Sequence, residues 1–178
     1  MLPDYCIPTQ TWMRELESDG YRVVDVPTPL RQDKMYEGHR DNWGIDDILI
    51  CGQDNVGSVE LIEEMKNCPH LFCASPCEIY PASLGKQGRA VNMIDFVEGE
   101  NGIEQKLYDM KYLHTKEFVN GICGGGLSMI KKELQLKMDI VKNRFHHQNS
   151  DYMLSKLALP NLPQGFHLHG LHEHMKKF

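Results

Sequence analysis

The sequence predicts a single α/β domain on a mostly parallel, doubly wound sheet, because short strand-like runs alternate along it with helix-like segments. Three observations carry that expectation. Apolar or β-branched runs of four to six residues (Ile48-Leu49-Ile50-Cys51 is one) are separated by stretches with helical spacing of apolar residues. The chain has 178 residues and 41% hydrophobic content, enough for one sizeable core. No apolar run reaches the ~20 residues that a membrane helix needs.

The elements follow in order. Asp4 to Pro8 reads as a first strand, closed by Pro8 and Thr9. Thr9 is placed to cap a helix running to Asp19, with Trp12 and Leu16 inward. Asp19-Gly20 stops that helix, and Tyr21 to Val26 reads as a second strand ending at Pro27. Lys34 to Trp43 is a weaker helix. Asp47 to Gly52 is a short buried strand that runs into Gln53-Asp54-Asn55. In an open α/β sheet, ligands bind beyond the carboxyl ends of the strands, which is where Asp54 falls. A nucleotide or metal site and a solvated turn both fit this segment.

Ser58 to Asn67 is an amphipathic helix burying Leu61, Ile62 and Met65, and His70 to Ser75 is a fourth strand. Glu78 to Thr115 shows little periodicity and many loop formers, among them Pro81, Gly85, Gly88 and the acidic run Glu98-Gly99-Glu100-Asn101-Gly102. So long a stretch reads as a functional loop or lid, with Lys86 and Arg89 in reach of phosphate or left in solvent. Val119 to Ile130 reads as a strand entering a turn at Gly124-Gly125-Gly126, with a helix from Lys131 to Lys137. Ser150 is placed to cap a last helix, which Pro160, Pro163 and Gly165 end.

Charge and special residues narrow the function. A net charge of -6 argues against a nucleic-acid surface, which needs Lys and Arg to neutralise phosphate, and fits anionic substrates held through a metal or backbone amides. The start, Met1-Leu2-Pro3-Asp4-Tyr5, has neither a basic nor an apolar leader region, so a cytoplasmic location is expected. The six cysteines form no linear zinc signature, and buried free thiols are expected, with one disulfide left open. Of the nine histidines, His167, His169, His172 and His174 crowd the end of the chain. The plain reading of the first two is a strand with His167 and His169 on one wet face.

One order of features stands out: Cys6-Ile7-Pro8-Thr9, His39-Arg40-Asp41-Asn42-Trp43-Gly44, Asp46 to Asp54, Gly124-Gly125-Gly126-Leu127, Asn149-Ser150-Asp151, and a late histidine. It resembles that of the GT-A glycosyltransferases, in particular short family-2-like enzymes of viruses and archaea. The resemblance implies a GT-A fold, with residues 1–76 as the nucleotide-binding half and 77–178 as the acceptor half. It implies transfer of a sugar from a nucleotide-diphosphate donor to a glycan, protein or lipid acceptor, aided by Mn²⁺ or Mg²⁺, in the cytoplasm of the host if the chain is viral. Homodimer formation is left open.

The implied site follows residue by residue. Asp54 stands at the DxD position and would hold the cation, with His169 and His172 as further ligands. The position reads Gln53-Asp54-Asn55, one carboxylate in place of two, so Asp54 would bind metal weakly until the diphosphate adds oxygens. Gln53 and Asn55 would orient sugar or ribose, Asp25 and Thr9 would lie near the base and nucleotide, and Gly125 would let backbone approach the donor. Asp151 would be the base that deprotonates the acceptor; a first-turn charge favoured by the helix dipole is the alternative. A non-catalytic nucleotide-sugar-binding module and a metal-dependent nucleotidyltransferase or hydrolase compete with the transferase reading.

Overall fold

The computed structural model describes residues 7–24, 40–52, 55–79, 90–100, 102–108, 117–123, 126–138, 140, 150–170 and 173–174. Its first part contains α1 (Ile7–Ser18), β1 (Ile48–Cys51), β2 (Asn55–Val56), α2 (Val59–Asn67) and β3 (Phe72–Ser75). Then come β4 (Glu78–Ile79), β5 (Ala90–Val91), β6 (Met93–Gly99), β7 (Gly102–Leu107), β8 (Phe118–Val119) and β9 (Ile122–Cys123). The chain continues through β10 (Leu127–Ile130), α3 (Lys132–Lys137), α4 (Ser150–Ala158), β11 (Phe166–Leu168) and β12 (Glu173–His174).

The fold is mixed α/β, but the expected mostly parallel sheet is corrected. The main sheet has the order β1-β10-β3-β11-β8, and among its pairs only β3–β11 is parallel. The reason is one insertion. β1 and β3, joined through α2, do run in the same direction, as a strand-helix-strand crossover requires. A strand from far along the chain, β10, lies antiparallel between them. All four residues of β10 are buried, so its run Leu127-Ser128-Met129-Ile130 serves a central strand covered on both faces.

Each face has its own core. Leu127, Met129 and Cys73 meet Trp12 and Leu16 of α1 and Leu61, Ile62 and Met65 of α2. Phe72, Ala74, Ile130 and Phe166 meet Leu134 of α3 and Leu154 and Ala158 of α4. Each large apolar side chain buried there contributes about 1.5–3 kcal/mol. Ser58 caps α2 as its sequence suggests, its hydroxyl accepting from the Leu61 N–H at 3.1 Å.

Three further expectations change. Ile7 and Pro8, the end of the expected first strand, are already helical, and residues 4–6 lie outside the described part. Proline fits a first helical turn, where its missing N–H breaks no bond. Residues 21–24 form no strand. The Tyr21 N–H bonds to the Leu16 carbonyl at 3.0 Å across Gly20, whose φ is 88°, and this closes α1. Glu78 to Thr115 is no bare loop where it is described: β6 and β7 form a hairpin turning between the paired Gly99 and Gly102, and β6 also pairs with β9. Glu98 and Gly99 of the acidic run end β6, and Gly102 begins β7.

Candidate functional site

At the carboxyl end of β1 the backbone folds back at once. The Gly52 N–H donates to the Gly126 carbonyl at 2.9 Å, and the Asn55 N–H donates to the Gly52 carbonyl at 3.2 Å. Gly126 is thereby held at the end of β1. Thr9 donates its hydroxyl to the Asn55 carbonyl at 3.3 Å, so two of the sequence candidates meet; both are almost fully buried. β12 pairs antiparallel with β2, His174 opposite Asn55 and Glu173 opposite Val56, which brings the histidine tail to the same turn. Asp25, Gln53, Asp54, Gly125 and His172 lie outside the described residues.

Asp151 lies in the first turn of α4. One turn further on, Ser155 accepts the Cys123 N–H at 3.0 Å, tying α4 to the strand that leads into the glycine turn. Phe96 of β6, Ile122, and Lys156 and Leu159 from the last helical segment line a cavity of about 220 Å³ between the hairpin and α4.

His169 is drawn into a second cluster. α2 ends at Cys68, and Pro69 prevents its continuation. Cys73 lies on β3, where its parallel register partner is His167, and alternation along β11 places His169 on the same face as His167. Cys68 Sγ lies 3.4 Å from His167 Nδ1, and that nitrogen lies 3.3 Å from His169 Nε2. The ligating atoms of Cys68, Cys73 and His169 all lie within 4.8 Å of one another, as do those of Cys68, His70 and His167. The His70 and His167 rings stack at 4.3 Å between centroids.

The outer faces of the two central imidazoles carry carboxylates. His169 Nδ1 is 2.8 Å from Glu64 Oε1, and His167 Nε2 is 3.9 Å from Glu117 Oε1. Burial, then the neighbouring His169 and His70, hold the His167 imidazolium below its ordinary range and favour the neutral ring. Burial first, and then the Cys68 sulfur, push the Cys73 thiol up. The pattern that sequence reasoning left unused is the paired spacing Cys68-x-His70 and His167-x-His169.

No protein-family model matches the chain, and neither a curated protein nor a solved structure matches it.

Proposed function

We propose that this protein is a glycosyltransferase of GT-A type that moves a sugar from a nucleotide diphosphate to an acceptor hydroxyl. The observation that carries the reading is the pairing of His174 with Asn55. It joins the histidine tail to Asn55, whose neighbour in the sequence is Asp54. The Gly52–Gly126 hydrogen bond supports the same reading, because it brings the glycine turn to that strand end.

Among the described residues the strand end contributes no cluster of three ligating side chains of its own. A Mn²⁺ or Mg²⁺ ion there would rest on Asp54 and His172, the oxygen-rich donor being completed by substrate phosphates. Bound there, the cation would neutralise charge on the departing diphosphate. Asp151, at a helix start tied through Ser155 and Cys123 to the glycine turn, is the group assigned to take the acceptor proton. The cavity beside Phe96 and Lys156 is the acceptor side, and the hairpin forms its wall.

The test is thermal stability with Mn²⁺ and a panel of nucleoside diphosphates, since a ligand of the native state raises it by mass action. A shift with one nucleotide, lost in Asp54→Ala while the unliganded protein melts normally, is the expected outcome. Full nucleotide affinity in Asp54→Ala overturns the assignment.

A further inference from the structure

We infer that Cys68, Cys73, His167 and His169 form a zinc site, separate from the strand-end site, that ties the end of α2 to β3 and β11. Two of the separations, both made by His167, are those of ligands around an ion. Zn–N bonds of about 2.0–2.1 Å and Zn–S bonds of about 2.3 Å at tetrahedral angles set nitrogens ~3.3 Å apart and sulfur ~3.5 Å from nitrogen. His167 Nδ1 and His169 Nε2 stand 3.3 Å apart, and Cys68 Sγ stands 3.4 Å from His167 Nδ1. Cys73 closes the set, its sulfur within 4.8 Å of the ligating atoms of Cys68 and His169.

The surroundings fit the same ion. A zinc-bound histidine commonly offers its far ring nitrogen to a carboxylate, which fixes the tautomer and strengthens the donor. Glu64 stands at hydrogen-bond distance from that nitrogen of His169, 2.8 Å, and Glu117 lies at 3.9 Å from that of His167, within ion-pair reach only. Two sulfurs and two imidazoles select zinc over the oxygen-seeking Mg²⁺ or Mn²⁺. Each thiol gives its proton to solvent as the metal–sulfur bond forms, and the buried side chains of Cys73 and His169 leave the ion a dry pocket. Four protein ligands fill a tetrahedron, so the site is structural.

The site is distinct from the one at β1. Strands lie about 4.8 Å apart, and β3 and β11 are two and three places from β1 in the sheet, so roughly 10–14 Å separates them. The elements it joins meet only in the folded chain, since Cys68 and His169 are 101 positions apart in the sequence.

The full chain, purified without chelator, should carry one equivalent of zinc by elemental analysis. After exchange for cobalt it should show a thiolate-to-cobalt charge-transfer band and the intense visible bands of a tetrahedral site. Cys73→Ser should lose most of the charge-transfer band, Glu64→Gln should weaken zinc binding about 10–100-fold, and Cys77→Ser, a buried thiol outside the cluster, should keep both. Asp54→Ala should leave the cobalt spectrum unchanged, which separates this site from the proposed transferase site. A wild-type protein with no charge-transfer band, a Cys68–Cys73 disulfide by mass after isolation under reducing conditions, or an unaltered spectrum in Cys73→Ser would each overturn the inference. The wild-type spectrum decides it even if a variant fails to fold.

Discussion

The Tyr108 hydroxyl donates to the Asp95 carboxylate at the base of the β6–β7 hairpin, and both residues are buried. The other carboxylate oxygen accepts the Asn120 N–H at 3.0 Å, so one acid holds the hairpin to the segment between β8 and β9. Tyr108→Phe keeps the ring and removes the donor. A buried acceptor that loses a partner costs about 1–3 kcal/mol. Urea unfolding should show that loss as a lower midpoint at unchanged slope.

The same tyrosine predicts the alkaline limb of stability. Burial, and then the bond to Asp95, raise the Tyr108 pKa above its ordinary 10.0. The unfolded chain therefore releases this proton before the folded chain does. Its contribution is complete below about pH 10 and is lost as pH rises beyond that, since stability falls wherever the native state holds more protons. In Tyr108→Phe the decline of melting temperature above pH 10 should be shallower; an unchanged slope would remove Tyr108 from the account.

Two glycines should respond differently to a methyl group. A Cβ on Gly121 would stand 2.0 Å from the Ile94 carbonyl oxygen and 2.9 Å from Asp95 Cα, both backbone atoms. Gly121→Ala must therefore part β6 from β9, which also borders the proposed acceptor cavity, and should cost at least the 1–3 kcal/mol typical of overpacking. At Gly20 nothing lies within 4 Å and only the φ of +88° is unfavourable. Gly20→Ala should cost about 1–2 kcal/mol. Equal losses in thermal unfolding would contradict the contrast.

Asp151 carries the chemical prediction. A base that acts in the transition state contributes to turnover and little to donor binding. Asp151→Asn should reduce sugar transfer about 10²–10⁴-fold while nucleotide affinity stays near that of the parent. Steady-state kinetics paired with nucleotide titration distinguish the outcomes. Unchanged transfer would move the base elsewhere.

The sequence by itself determined the local elements whose signals are short-range. Ser58 followed by Leu61, Ile62 and Met65 specifies α2 and its cap, and the apolar runs at Ile48 and Phe72 specify β1 and β3. Helical spacing likewise marked α4. The hairpin escaped because every residue of β7 is exposed or only partly buried, so no alternation betrays it, although Val91, Met93 and Asp95 do alternate inward. Only the tertiary structure decided that β10 divides β1 from β3, because nothing local records which strand will lie beside another. The same holds for both candidate sites. His174 meets Asn55, and Cys68 meets His167, through strand register and the placement of one helix end. These are contacts between distant positions, set by which faces can be buried together, and no local spacing along the chain encodes them.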